Sequence, residues 1–86
     1  MPECYEIRLK RSAEKELDAL PSRTRSRITK RLLRLETNPR PRGVEKLQGQ
    51  EAYRIRVGDY RVLFTIDDAT RVVMVYAVGH RRDVYR

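Results

Sequence analysis

Three arginines, Arg54, Arg56 and Arg61, flank the pair Gly58-Asp59 in a segment where charged and apolar residues alternate. An arginine guanidinium presents a planar fork of N–H donors that matches the oxygens of a phosphate. Gly-X is a two-residue hairpin turn, and such a turn fixes the register of the two strands that it joins. The expected pairs are Val57 with Tyr60, Arg56 with Arg61, and Arg54 with Leu63. This register places the three arginines on one face of a sheet, as a candidate phosphate site.

Like charges directly opposite each other in an antiparallel pair destabilise a sheet, and a bound polyanion would neutralise them. The whole chain has the same bias, since it carries 16 arginines and 4 lysines against 12 acidic residues, a net charge of +8. This composition predicts a polyanionic partner such as a nucleic acid. The alternative is a solvated face on which the long side chains splay apart.

The C-terminal segment adds a second group of candidates. His80 is the only histidine, and its ordinary pKa of about 6.5 suits proton transfer near neutral pH. Arginine stays protonated and is a poor base. Tyr85, beside Arg81, Arg82 and Arg86, is suited to stacking on an unpaired base. The alternatives are a turn histidine bonded to a backbone carbonyl and a frayed terminus.

The elements that must position these residues can be read from periodicity. Strict alternation over residues 5–10 predicts a half-buried strand. Ser12 is a candidate N-cap for a first helix, and Pro21 separates it from a second helix over residues 22–37. The outer face of the second helix carries further basic residues that could bind RNA phosphates or simply face solvent, among them Arg27, Arg31 and Arg34.

The second half of the chain predicts strands at 53–57, 60–66 and 71–78, after an irregular connector at 39–51 that Leu47 anchors to the core. The last run is apolar at both parities, which is typical of a central strand covered on both faces. We therefore expect a single α+β domain, 1–86, of order β-α-α-β-β-β. The first strand completes a mainly antiparallel sheet beside the last strand, and the helical hairpin covers one face.

Composition also excludes several classes of protein. The single cysteine, Cys4, rules out an intrachain disulfide, and one Cys with one His cannot supply a usual structural zinc site. No apolar run approaches the roughly 20 residues that cross a bilayer, and no signal peptide is visible. We expect a cytoplasmic protein that needs neither a metal nor a cofactor and does not bind a membrane.

Two segments carry a resemblance to a known family. The segment from Tyr53 to Arg61, the ending Gly79-His80-Arg81-Arg82-Asp83-Val84-Tyr85 and the order of elements resemble the RelE toxins of the RelE/ParE superfamily. The resemblance covers essentially the whole chain. The ending looks like the endonuclease branch of the superfamily rather than the gyrase-poisoning ParE branch.

The resemblance implies a toxin of a type II toxin–antitoxin module that cuts messenger RNA in the ribosomal A site without a metal. In that reaction the 2′-hydroxyl attacks the adjacent phosphate and leaves a 2′,3′-cyclic phosphate and a 5′-hydroxyl. The implied partners are a cognate RelB-like antitoxin, the ribosome with its mRNA, and operator DNA bound through the antitoxin.

Carried over by position, Arg54 and Arg56 stand where the family has basic residues, often lysines, and Arg61 stands at its phosphate-binding arginine. Arg81 and Tyr85 match the arginine after the last strand and the tyrosine near the C-terminus. The chain departs from the family at Arg56, because an arginine cannot act as the base that a lysine could supply. His80 is therefore our candidate for proton transfer.

Two other functions remain open on the sequence alone. One is a ParE-like inhibitor of DNA gyrase, for which a protein-binding surface would suffice. The other is a non-catalytic basic partner that binds an antitoxin and DNA.

Overall fold

The chain folds as one strand, two helices and a run of further strands. The computed structural model describes residues 4–80 and 82. The helices are α1 (Arg11–Asp18) and α2 (Ser22–Arg34). The strands are β1 (Glu6–Leu9), β2 (Glu45–Lys46), β3 (Ala52–Val57), β4 (Tyr60–Asp67) and β5 (Val72–His80). The predicted α+β class is confirmed, and the connector that the sequence predicts as irregular contains the short strand β2.

The sheet has the order β1-β5-β4-β3-β2. β1 lies parallel to β5, as expected for a first strand that completes the sheet beside the last, and the other neighbours are antiparallel. The predicted central position of β5 is confirmed, but its second face is only partly covered. Val73 and Val75 are fully buried, whereas Val72, Met74 and Tyr76 are only half-buried. We call this less covered side of the sheet the open face.

The helix boundaries differ from the sequence predictions at two points. Lys10, not Ser12, is the N-cap of α1, without a side-chain cap bond. Lys10 ends the strand and starts the helix, because its N–H donates to the Val75 carbonyl and its own carbonyl accepts the Glu14 N–H. α2 ends at Arg34 rather than at residue 37, because the amides of residues 35–37 bond three residues back and tighten the chain into turns.

The main core lies between the helices and the sheet. The spacing of Ala13 and Leu17 on α1, and of Ile28 and Leu32 on α2, turns one side of each helix towards the sheet, and all four are buried. Phe64 fills the centre with no exposed surface. The sequence predicts that Leu47 anchors the connector to the core, but Leu47 lies outside this main core. It packs on a small second cluster of Leu63 and Ala77 on the open face.

A polar clamp joins the N-terminal segment, the connector and the β4–β5 turn. The Asp68 carboxylate accepts hydrogen bonds from the Tyr5 hydroxyl and from both terminal nitrogens of Arg40, the shorter of the latter at 3.0 Å. The Arg40 guanidinium also lies over the Tyr53 ring, 5.4 Å from its centre. Because Asp68 accepts the hydroxyl hydrogen, the pKa of Tyr5 is raised. The clamp thus links three segments that are far apart in the sequence.

We expect Asp68→Asn to flatten the acid limb of the stability profile. Hydrogen bonds from Arg40, and then from Tyr5, lower the pKa of Asp68. A carboxyl whose pKa is lower in the folded state stabilises the fold above its unfolded pKa, about 3.9 for Asp, and loses this effect as the pH falls through the folded pKa. The wild-type melting temperature should therefore fall more steeply below about pH 4 than that of the variant.

Glu51→Gln is the matched control for this experiment, since it removes a carboxylate whose side chain is 89% exposed and pairs with Lys46 outside the clamp. Melting curves at a series of pH values would measure the effect. Parallel acid limbs for wild type and Asp68→Asn would contradict the prediction.

Candidate phosphate-binding site

The β3–β4 hairpin has the predicted register. Gly58 and Asp59 form its loop, and Gly58 has a φ of 62°, a left-handed conformation that glycine adopts without steric cost. Across the hairpin Val57 pairs with Tyr60, Arg56 with Arg61, and Arg54 with Leu63. The placement of Arg54, Arg56 and Arg61 on the open face follows from this register and is confirmed, because the alternating residues Ile55, Val57 and Val62 are buried on the helix side.

The three arginines differ in exposure. Arg56 is exposed, whereas Arg54 and Arg61 are half-buried, and the Nε atom of Arg61 is buried. Gly79 of β5 lies opposite Arg61 and adds no side chain beside it. Arg61 thus lies on an interior strand, between Arg56 on one side and a glycine on the other. Its buried Nε atom shows that part of the guanidinium is shielded from solvent, which strengthens an interaction with an anion.

A carboxylate that the sequence analysis missed lies among these arginines. Glu45 of β2 pairs with Arg54 of β3, and its Oε1 accepts hydrogen bonds from Nε and a terminal nitrogen of Arg54, at 2.9 and 2.7 Å. These bonds lower the pKa of Glu45, and the positive charges of Arg56 and Arg61 lower it further. A negative charge at Glu45 therefore experiences all three arginines at once. β2 has only two residues, too few to show a strand periodicity.

His80 lies on the other side of the sheet from the arginines. It pairs with Tyr60, whereas the arginine-bearing position Arg61 pairs with Gly79. The imidazole meets the Tyr60 ring edge-on, with 5.6 Å between ring centres. A bulge at Tyr76 causes this placement. The register shifts there by one residue, and the remainder of β5 turns its side chains to the opposite faces.

The Nδ1 atom of His80 accepts the backbone N–H of Arg82 at 3.3 Å. In a neutral imidazole the nitrogen that accepts a hydrogen bond carries no proton, so Nε2 carries it. The nitrogen of His80 that remains available is therefore a donor rather than a base. The sequence analysis also considered His80 as a turn residue that bonds a backbone carbonyl. The structure shows a similar turn bond, in which His80 accepts a backbone amide hydrogen instead.

The other basic candidates lie along the helix side and at the chain end. Arg27 lies over the hairpin loop, where its guanidinium comes within 3.4 Å of the position that a Cβ on Gly58 would occupy. Arg31 donates to the Arg56 carbonyl at 3.2 Å. Arg34 and Arg82 are exposed. Arg81 and Tyr85 lie outside the described residues.

The open face thus has two ends with different character. At one end are the three arginines and Glu45. At the other is an open groove of about 480 Å³, whose lining includes Arg8, Thr65 and Met74. Arg8 is paired with Glu6 in this groove, at 3.0 Å. A chain of phosphates would therefore meet most positive charge at the end of the open face that carries Arg54, Arg56 and Arg61.

This arrangement can bind a phosphodiester and stabilise added negative charge at phosphorus, because guanidinium groups donate charge-assisted hydrogen bonds from fixed positions. It does not by itself supply a proton acceptor. Within residues 4–80 and 82, no three His, Cys, Asp or Glu side chains come together as metal ligands. No helix in the same part of the chain is long and apolar enough to cross a membrane.

Comparison with known proteins identifies the family. The family model described as the ParE toxin of the type II toxin–antitoxin system parDE matches residues 7–85. The toxin RelG of Mycobacterium tuberculosis is 31% identical over 85 residues, which are 95% of this chain and 97% of the relative. The chain belongs to the RelE/ParE superfamily of type II toxins. The resemblance to RelE found in the sequence is therefore confirmed.

Solved structures of RelE complexes agree with this RelE-like fold. A chain of the archaeal RelE–RelB complex from Pyrococcus horikoshii superposes with a TM-score of 0.83 at 29% identity, over 94% of this chain and 99% of that one. A chain of the intact RelBE toxin–antitoxin complex from E. coli gives a TM-score of 0.80 at 29% identity, over 95% and 99% of the two chains. This RelE-like chain is a toxin of a type II toxin–antitoxin system.

Proposed function

We propose that this RelE-like toxin is a ribosome-dependent mRNA endoribonuclease. The 2′-hydroxyl of one nucleotide attacks the adjacent phosphorus in the ribosomal A site, and the bond from phosphorus to the following 5′-oxygen breaks. The products are a 2′,3′-cyclic phosphate and a 5′-hydroxyl. The proton lost by the 2′-hydroxyl goes to a base, and the leaving 5′-oxygen takes a proton from an acid, so no metal or cofactor enters the balance.

The observation that carries the proposal is the arginine cluster on the open face. Arg54, Arg56 and Arg61 are held there by the hairpin register, and a carboxylate already bonds one of them. A guanidinium that bonds a carboxylate in this manner can bond a phosphate oxygen in the same manner. The charge that develops on phosphorus in the transition state is where such donors have their largest effect.

The remaining candidates take supporting roles in this proposal. Arg81 adds to the phosphate-binding set, Tyr85 stacks on a base of the substrate, and His80 transfers a proton. The RNA-contacting residues outside the reacting phosphate are Arg27, Arg31, Arg34 and Arg82.

The proposed partners are a RelB-like antitoxin that neutralises the toxin, and operator DNA that the two bind together through the antitoxin. RelE chains of the same fold occur in complexes named for RelE and RelB. We place the activity in the cytoplasm, where ribosomes and mRNA meet.

The test is to add purified toxin to ribosomes programmed with a defined mRNA and to map the cut sites by primer extension. We expect cuts at the codon in the A site and no cleavage of the same mRNA without ribosomes. Intact mRNA on programmed ribosomes would contradict the proposal and would favour a non-catalytic partner that binds antitoxin and DNA.

One observation favours a second candidate. The matching family model is described as a ParE toxin, and the ParE branch of the superfamily acts on DNA gyrase. Expression of the toxin would then produce double-strand DNA breaks while cellular mRNA stays intact. Measuring both in the same culture separates the two candidates.

A further inference from the structure

Glu45 occupies part of the surface that the proposed reaction needs for phosphate. Both hydrogen bonds from Arg54 end on one oxygen, Oε1. The Arg54 side chain is 21% exposed, and that of Glu45 is 51% exposed. The more buried partner is thus the arginine, and the carboxylate is the group that solvent or a ligand can reach.

Carboxylate and phosphate oxygens are bound by guanidinium in the same planar geometry. The Glu45 carboxylate therefore offers Arg54 a negatively charged oxygen acceptor, as a backbone phosphate of RNA would. Arg56 and Arg61 are close enough to lower the pKa of Glu45, so the carboxylate stays charged at neutral pH. For the same reason it is a weak proton acceptor, which argues against Glu45 as the base of the reaction.

We propose that Glu45 is an intramolecular substitute for a substrate phosphate. In the free toxin it holds the Arg54 guanidinium on the open face and reduces the affinity of the arginine cluster for RNA, until a backbone phosphate displaces it. The inference rests on the proposed function, because it takes RNA as the ligand of this face.

The pair is suited to exchange. An ion pair that is partly exposed contributes little to stability, so little is lost when Glu45 turns into solvent. β2 has only two residues at the edge of the sheet, so its side chains have a neighbouring strand on one side alone. Glu45 thus affects how tightly RNA binds, without itself contacting the reacting atoms.

The experiment compares Glu45→Gln with wild-type toxin for binding of a short 2′-O-methyl RNA, which cannot be cleaved, by fluorescence anisotropy at several salt concentrations. We expect the variant to bind roughly fivefold more tightly, the size of effect typical of an exposed ion pair. The plot of log affinity against log salt should steepen by about 0.7, as for one more phosphate contact on a single strand.

Glu51→Gln is the matched control, because it makes the same change in net charge on the same β2–β3 hairpin but removes the partner of Lys46 instead. It should leave both affinity and salt slope near the wild-type values. A second comparison places Glu45→Gln in an Arg54→Gln background, where the gain in affinity should vanish because its target is absent.

Three results would overturn the proposal. An equal gain for Glu51→Gln would assign the effect to net charge alone. A gain that persists without Arg54 would assign it to another residue. Unchanged affinity with lost cleavage would make Glu45 a base. If wild-type toxin fails to cut mRNA on ribosomes while the Glu45→Gln difference persists, the proposed function fails and the role of Glu45 stands.

Discussion

Replacing Arg61 by alanine is expected to lower the rate of mRNA cleavage on programmed ribosomes by about 10²–10³-fold, the loss typical of removing one preorganised donor to a developing anion. Arg61 is the arginine of the cluster that lies on β4, between β3 and β5, and its Nε atom is buried. A donor that is already held in place and partly desolvated loses little on binding, so its effect on the transition state is large.

One variant separates the contributions of charge and geometry at this position, and a second is a control at the other end of the open face. Arg61→Lys keeps the positive charge but loses the planar fork, so its rate should fall between those of wild type and Arg61→Ala. Arg8→Ala removes an arginine from the opposite end of the open face, where Arg8 is paired with Glu6, and should cut at close to the wild-type rate. Single-turnover rates at saturating toxin would measure chemistry rather than binding.

Arg61 is half-buried, so thermal melting of each variant is needed to show that the fold is intact at the assay temperature. A folded Arg61→Ala toxin that cuts as fast as wild type would remove Arg61 from the catalytic set. An equal loss in Arg8→Ala would show that the whole charged face, rather than the cluster, determines the rate.

The arginine face could be predicted from the sequence because its geometry is local. Gly58 and Asp59 make a loop of two residues, and alternation on both sides of that loop leaves one register that buries the apolar set. The pairing of Arg56 with Arg61 follows without any long-range information. The family resemblance rests on this same hairpin, which explains why both routes lead to the same three residues.

Glu45 and His80 could not be placed in the same way, because their positions depend on contacts far apart in the chain. Glu45 joins the cluster through a strand of two residues that has no periodicity to read. His80 depends on the bulge at Tyr76, which shifts the β4–β5 register by one residue. Without that extra residue, alternation from Val75 would bring His80 to the open face beside the arginines.

The polar clamp on Asp68 is a similar case. Its members Tyr5, Arg40 and Asp68 come from three distant segments, and no spacing in the sequence links them. In a chain with 16 arginines, nothing in the sequence distinguishes Arg40 from the other basic surface residues, so the clamp could not be predicted. Arginine thus takes part in a structural clamp at one end of the fold and in the candidate anion site on the open face.

The placement of His80 limits the part that it can take in the reaction. Its side chain is half-buried at the end of β5, against the Tyr60 ring and on the opposite side of the sheet from Arg61. The amide of Arg82 occupies Nδ1, and Nε2 therefore carries the proton in the neutral ring. Of the two proton transfers in the proposed reaction, His80 could serve the second, donation to the leaving 5′-oxygen, only as the imidazolium, in which Nδ1 also carries a proton and no longer accepts the Arg82 amide.

On this basis His80→Ala should lower the single-turnover cleavage rate by about 100-fold, the lower range for loss of a general acid. His80→Gln is the decisive comparison, because its side-chain oxygen can still accept the Arg82 amide while it has no titratable proton. If His80 donates a proton, both variants should be slow, and added imidazole should restore part of the rate of the alanine variant. If His80→Gln cuts at the wild-type rate, the histidine only orders the turn at residue 82, and the acid must be sought among other groups near the open face.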